Sequence, residues 1–313
     1  MTLPVLIITY NRFELVLTIL EALNKNHYKK VYIAIDHYPR DAAGFNKIEA
    51  YLEANQFDFQ LKKSVENIGC ERNVITGIKW FFEHEERGII LEDDCIPTVG
   101  FFSFLEHSKN VEGVLDKNIS FFSNCIQHNK RFYLYQSYIP FFWGWYTNRN
   151  YFKQFYEFVV TSRLKLRDVL KLLTVKDVSF RIKLIVLINY VSFSYERHGT
   201  SWDSLLHYYQ FITKKPFFVP SQSMIDNRGF GNLNVAYTHT NKLPDWYNDL
   251  IFSNSEIKID AISESSKAEH NDSVFLNQFF KHYSHNIFIL IGYFCKQYFR
   301  MLRQGKHKSA FKL

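Results

Sequence analysis

Gly88-Ile89-Ile90-Leu91, followed at once by Glu92-Asp93-Asp94, is the stretch whose reading decides the fold. A short apolar run that ends in acids reads as a strand buried on both faces of a parallel sheet, its polar tip emerging at the carboxyl edge. Working back toward the amino end, Arg72 to Glu85 predicts a helix offering Ile75, Ile78, Trp80 and Phe82 for burial. Before it come a strand at Phe57 to Leu61, a helix at Ala42 to Ala54 and a strand from Val31 to Ile35 that ends at Asp36. Glu14 to Asn24 places Leu15, Ile19, Leu20 and Leu23 on one helical face, and Val5-Leu6-Ile7-Ile8 is another wholly apolar strand. Such alternation predicts βαβ units: an α/β, Rossmann-like fold with a mixed, mostly parallel sheet flanked by helices. In open sheets of this kind, ligands bind beyond the carboxyl ends of the strands. Three polar signals fall there, Thr9 to Arg12, Asp36, and Glu92 to Asp94, so the pattern places a site at one sheet edge.

Working forward, Ile119 to Asn124 and Phe132 to Tyr138 read as strands, followed by the aromatic segment Phe141-Phe142-Trp143-Gly144-Trp145-Tyr146. Residues 151 to 190 read as mostly helical, and Arg163 to Lys183 carries seven Lys/Arg against two Asp. Trp202-Asp203 follows the polar turn Arg197 to Ser201. Phe217-Phe218-Val219 predicts a strand, and a loop bearing Arg228, Gly229 and Gly231 then runs on to His239. The chain divides into a domain at 1–245, with a nucleotide-binding half (1–115) and an acceptor half (116–245), and a basic helical C-terminal extension at 246–313.

Composition narrows the class. The 313 residues are 47% hydrophobic and 18% aromatic, ample for a large core, and 22% charged residues describe an ordinary globular chain. A net charge of +7 favours acidic partners: phosphates, a nucleic acid or an anionic membrane surface. No nucleic-acid recognition motif accompanies the charge. Cys70, Cys95, Cys125 and Cys295 are widely spaced, with no C-x-x-C pair. With Pro4 and a β-branched run so near the start, no signal peptide is expected, and reduced thiols in the cytoplasm are the simplest reading.

The chemistry concentrates in Glu92-Asp93-Asp94. Adjacent carboxylates repel, and packing three at a strand end is costly unless a cation is near. Mn²⁺ or Mg²⁺ would serve, since hard divalent ions take one or two carboxylates together with substrate phosphates. Arg12, after the first strand, has the fork that grips a phosphate. Asp36 can accept hydrogen bonds from a base or ribose, or simply form a turn. Trp143 and Trp145 flank Gly144, an arrangement that suits stacking on a sugar ring with a small residue allowing close approach; core packing is the alternative fate of either Trp.

Pro4 to Arg12, then Leu91-Glu92-Asp93-Asp94-Cys95-Ile96-Pro97 with Phe101-Phe102, resembles the GT-A fold of nucleotide-sugar glycosyltransferases. The likeness is to the N-acetylglucosaminyltransferase I type and to related bacterial surface-polysaccharide sugar transferases. Phe142-Trp143-Gly144-Trp145, Ser201-Trp202-Asp203 and Gly229-Phe230-Gly231 through Thr238-His239-Thr240 agree in order, so the likeness covers about residues 4 to 240 with a gap from 155 to 195. It implies that Asp94 binds the metal and that Glu92 and Asp93 meet donor ribose and sugar. It implies further that Arg12 meets phosphate, that Asp36 meets uracil, and that Asp203, directly after Trp202, is the catalytic base. Thr9, Arg72, Asn73, Trp143, Gly144, Trp145 and Trp202 complete the expected donor site, and His239 is a second candidate ligand for the metal or the pyrophosphate. The chain departs from the animal enzymes at Ser204, where they carry a second Asp, and at Asn73, where they carry a His, and these departures leave the donor's identity open.

The implied activity is transfer of a sugar from a nucleotide diphosphate donor, UDP-linked by resemblance, to a glycan or lipid-linked acceptor in bacterial surface polysaccharide synthesis (lipopolysaccharide or capsule), with inversion. From Lys296 onward there are six Lys/Arg and no acids, interleaved with aromatic residues. The apolar run before it, Ile287 to Cys295, is far short of the ~20 residues a membrane span needs. An interfacial helix on anionic lipid, holding the protein peripherally at the inner face of the plasma membrane, and a solvated tail on a packed helix are the two readings. The rival enzyme is a sugar-1-phosphate nucleotidyltransferase, which normally needs a Gly-rich loop where this chain has Thr9-Tyr10-Asn11-Arg12. A catalytically inactive membrane-associated assembly protein of the same fold is the rival outside enzymology, and retention of both Asp94 and Asp203 argues against it.

Overall fold

The computed structural model describes residues 2–37, 42–109, 113–123, 132–138, 140–161, 202–229, 245–248 and 250–255, together with isolated positions at 172, 174, 180, 183–184, 186–188, 257, 291–292, 295–296 and 299. His239, Cys125, most of the basic stretch from Arg163 to Lys183 and nearly all of the C-terminal extension lie outside the described residues.

The first half follows the predicted order of strands and helices, but Leu15 and Trp80, expected on buried helical faces, are only partly buried, and Phe13, Val16 and Phe81 fill those faces instead. Strand β1 (Val5–Thr9) is buried at every position, because parallel neighbours flank it: β2 (Lys30–Ile35) on one side and β4 (Arg87–Glu92) on the other. Beyond β2 lies β3 (Asp58–Lys63), also parallel, an edge strand with half its surface in water. Strand β3 runs two residues past the apolar Phe57 to Leu61 segment because both lysines find a place for their charge at the edge: Lys62 Nζ donates to the Thr76 carbonyl at 2.9 Å and Lys63 reaches Glu49 on the surface. Helix α1 (Phe13–Lys25) buries Phe13, Val16, Ile19, Leu20 and Leu23, one face at three- and four-residue spacing. Each such fully buried aliphatic side chain stabilises the fold by about 1.5–3 kcal/mol. Helix α2 spans Ala42–Ala54, the expected bounds. Helix α3 (Cys70–His84) starts two residues before the apolar pattern does.

The second half continues the same sheet. The eight strands run in the order β3-β2-β1-β4-β8-β6-β9-β7, where β6 is Ile119–Ser120, β7 Leu134–Ser137, β8 Trp145–Asn148 and β9 Phe217–Pro220. Strand β8 is antiparallel to β4, β6 is antiparallel to β8, and β9 is parallel to β6. Two reversals restore the original sense, so β6 and β9 end at the same edge as β1, β2 and β4, and β8 begins there. The segment 141–144 is thereby delivered to the edge that carries the acids. The strand expected across Ile119 to Asn124 pairs only at Ile119–Ser120; Phe121 then leaves the ladder to donate its N–H to the Gly144 carbonyl at 2.9 Å.

A small antiparallel ribbon closes the same edge. Strand β5 (Cys95–Pro97) follows the acids directly and pairs with β10 (Ile225–Asn227), placing Asn227 opposite Cys95. Helix α4 (Val99–Ser108) begins at once after β5, with its first turn tied by Gly100 N–H to the Ser253 carbonyl at 2.8 Å. Helices α5 (Arg149–Thr161) and α6 (Trp202–Thr213) pack together, and α6 also meets α3. Since α6 leads into β9, its amino end lies toward the edge where β9 finishes.

Gly144 is needed here on two counts. Its φ is +78°, a left-handed backbone that side chains disfavour, and a Cβ would stand 2.7 Å from Ile225 Cγ1 and 3.2 Å from Leu91 Cδ2. Gly144→Ala is expected to cost about 3 kcal/mol of stability, combining the left-handed penalty with overpacking. Urea unfolding checks the value. Adding Ile225→Ala should leave Gly144→Ala the smaller, backbone part of its cost.

Candidate active site at the carboxyl edge of the sheet

The register sets the site. Ile8 pairs with Glu92 and Thr9 with Ile35, so the ends of β1, β2 and β4 stand side by side. From the first strand, Thr9 Oγ1 donates to Asp93 Oδ2 at 2.8 Å and Tyr10 N–H donates to the same oxygen at 3.3 Å. Arg12 Nη1 donates to Asp93 Oδ1 at 3.0 Å and to Asp94 Oδ2 at 2.5 Å. The exit of β1 thus holds the tip of β4 through a guanidinium with both acids on one nitrogen.

Arg12 supplies the countercharge that the sequence reading assigned to a cation. Burial works against its charge, yet Asp93, Asp94 and Glu92 together raise its pKa. The acids bear the opposite strain. Burial pushes Asp93 up to about 6, against the pull of Arg12, Thr9 and Tyr10 and with the push of Asp94. Glu92 is raised well above its ordinary value, first by burial, then by the charges of Asp94, Asp93 and Asp203. No hydrogen bond reaches the Glu92 carboxyl among the described residues.

Asp36 is committed locally. One carboxylate oxygen accepts the N–H groups of His37 and Ile68 and the other accepts that of Gly69, each at 2.9 Å. It therefore fastens the loop that enters α3 to the end of β2, and the turn-forming reading describes what the structure shows of it. Asn73 is buried, its Nδ2 donating to the Thr9 carbonyl at 3.1 Å, so it braces the β1 exit. Arg72 is exposed in the first turn of α3. Beside it, burial pushes Glu71 up to about 8, an effect that Arg72 opposes.

On the other side, Arg228 N–H donates to the Asp94 carbonyl at 2.8 Å, and a Cβ at Gly229 would lie 2.3 Å from Asp94 Oδ2. The turn after β10 is therefore pressed onto Asp94. Tyr247, in the short helix α7 (Asp245–Asn248), steadies that turn by donating to Asp226 Oδ1 at 2.8 Å, with the Asn227 carbonyl 3.0 Å away.

Asp203 lies in the first turn of α6, close enough to raise Glu92 by its charge. The structure corrects the role expected for its neighbour: Trp202 is buried and stacks on Trp145 with centroids 5.9 Å apart and planes at 24°. Trp145 itself is 1% exposed and enclosed by Phe142, Trp202 and Phe217, so neither ring has a face to offer a sugar. They anchor the start of α6 instead. The space beside Gly144 is likewise filled by Ile225 and Leu91, not left for a ligand. Trp143 remains half-buried at the edge, held by Phe122 and Phe141, each at 4.7 Å between centroids.

His207 escaped the sequence reading. It sits one turn beyond Asp203, and its Nε2 donates to the Pro140 carbonyl at 2.8 Å, which leaves Nδ1 as the acceptor. Burial lowers its pKa, an effect that the Asp203 charge opposes. The four-residue spacing from Asp203 was the available signal.

Among the described residues, no group of three His, Cys, Asp or Glu side chains has the arrangement to hold a metal ion. What the edge does offer is Asp94 and the unpartnered Glu92 carboxyl. That donor set fits a hard divalent ion which completes its shell with phosphate oxygens and water.

No protein-family model matches the chain, and no match is found among curated proteins. Among solved structures it is similar to the apo form of the glycosyltransferase GlyE of Streptococcus pneumoniae TIGR4, at 13% identity over 90% of this chain with a TM-score of 0.34. A second structure of GlyE gives a TM-score of 0.33 at the same identity. The chain spans 64% of the length of these neighbours. So loose an overlap says nothing about substrate.

Glu92 yields a stability prediction. A carboxyl whose folded pKa is raised binds its proton more tightly folded than unfolded, so its ionisation destabilises the fold as pH rises through the folded value. Glu92→Gln should therefore raise the melting temperature of the ligand-free protein at pH 8 by about 2–4 °C, the shift that ~1 kcal/mol produces in a domain of this size. The gain should shrink as pH falls toward 5. Calorimetric scans at the two pH values check it.

Proposed function

We propose that this chain is a GT-A-type glycosyltransferase that moves a sugar from a nucleotide diphosphate donor to a hydroxyl of a glycan or lipid-linked acceptor. The single observation that carries the reading is the meeting of Glu92-Asp93-Asp94, fixed to the exit of β1, with Asp203 at the start of α6. One group of acids suits the diphosphate end of such a donor, and a separate acid suits the acceptor.

Glu92 and Asp94 would hold Mn²⁺ or Mg²⁺, which when bound supplies positive charge against the diphosphate as it departs. Arg12 is within reach of the same place and offers a fork suited to phosphate oxygens. The amino end of α3, which no side chain caps, lies at this edge, and its dipole favours an anion there. Asp203, part-exposed where Asp93 and Asp94 are buried, is the group suited to take the proton from the acceptor hydroxyl. Transfer by direct displacement inverts the anomeric centre. Trp143 is one ring at this edge that keeps surface for a sugar. The resemblance to bacterial surface-polysaccharide enzymes supports a UDP-sugar donor and an acceptor of that class. No helix among the described residues is long and apolar enough to cross a membrane.

Two substitutions test the division of labour. Asp94→Asn should abolish the Mn²⁺-dependent part of stabilisation by UDP, read as a thermal shift, while the metal-free melting temperature stays near wild type or rises. Asp203→Asn should keep donor and metal affinity near normal by calorimetry and cut turnover by at least ~100-fold, the lower range for loss of a general base. Unchanged metal dependence in the first variant would move the metal site elsewhere. Loss of donor binding in the second would make Asp203 a donor-site residue.

A further inference from the structure

The ion pairs of Arg12 have a meaning beyond holding the edge together. Its Nη1 lies 2.5 Å from Asp94 Oδ2 and 3.0 Å from Asp93 Oδ1, and the three side chains are only 11–15% exposed. A divalent ion bound to Asp94 Oδ2 would sit about 2.1 Å from that oxygen. A guanidinium nitrogen at 2.5 Å from the same oxygen occupies one of its two lone pairs, and the two positive charges would repel at close range in a poorly hydrated place. The backbone at Gly229 also crowds Asp94 Oδ2, where an added Cβ would stand only 2.3 Å away.

From this geometry we infer that Arg12 is a resident rival of the metal: it neutralises Asp93 and Asp94 in the free protein and competes with the ion for Asp94 Oδ2, the other oxygen of that acid meeting, among the described residues, only the Cys95 thiol at 3.5 Å. The inference rests on the proposed donor site and adds to it an order of events. A diphosphate provides the reason to leave, because it offers the guanidinium two anionic oxygens in place of two carboxylates. Metal alone then binds weakly, and metal and diphosphate each favour the other's binding by the same factor. Arg12 thus acts as a switch between two anions, and the site assembles its cation only around a donor.

The test reads free Mn²⁺ by electron paramagnetic resonance in titrations of the full chain, with no nucleotide and with UDP. Arg12→Gln should bind Mn²⁺ alone at least ~10-fold more tightly than wild type, the scale of removing a charge-assisted pairing from the competitor's side. In the same variant the gain in Mn²⁺ affinity on adding UDP should shrink. Arg12→Lys keeps a positive charge and hence the fold, but its single ammonium lacks the guanidinium's fork, so it should fall between the two. Equal Mn²⁺ affinity in wild type and both variants, or no gain in whichever of the two variants folds, overturns the inference. Failure of UDP to bind any of the three counts against the nucleotide-sugar reading, while the comparison with Mn²⁺ alone still decides the role of Arg12.

Discussion

Like charges crowded at the end of a buried strand are the constraint on which this structure depends. Glu92, Asp93 and Asp94 cannot sit together at the tip of β4 unless something positive and several hydrogen-bond donors meet them. The fold brings those donors from β1, its parallel neighbour, whose exit turn contributes Thr9, Tyr10 and Arg12. Asn73 braces that turn from α3 through the Thr9 carbonyl, and Asp36 fastens the loop that leads into α3. Read in that sequence, nearly every polar contact at the edge serves to keep three acids where they would not otherwise stay. Expense of this kind is seldom retained in a protein core without a task.

The second half of the sheet solves a placement problem. A purely parallel continuation would have put every connection beyond β4 through a long crossover. Inserting β8 antiparallel lets residues 141–144 arrive at the acid-bearing edge from the opposite direction, and the two reversals return β6 and β9 to the original sense. A dense aromatic core, with Trp145 stacked on Trp202, then seats the amino end of α6 so that Asp203 shares the field of Glu92. Rigid packing, more than any loop, fixes the distance between the two sets of acids.

How much of this was legible depended on range. The wholly apolar runs at β1 and β4 and the helical face of α1 declare themselves through nearest neighbours, and α2 was readable to its ends. Glu92, Asp93 and Asp94 are legible from their place at a strand end, whereas Asp203 stands out only through the family resemblance. What sequence could not convey was competition among partners. Asp36 has its oxygens taken by N–H groups 32 and 33 residues away, Trp145 is enclosed by rings that include Trp202 and Phe217 from two distant segments, and Arg12 is drawn to carboxylates more than 80 residues on. Local pattern assigns such residues a chemistry, and only the fold assigns them a partner. His207 was missed for a related reason: its setting is made by the Pro140 carbonyl, 67 residues before it.

Gly229 carries a consequence for descent. Its backbone approaches Asp94 so closely that no side chain fits while the acid keeps its place. Positions 94 and 229 are therefore bound to drift together: a lineage that keeps the acid must keep the glycine, and one that has replaced the acid is free to fill the gap.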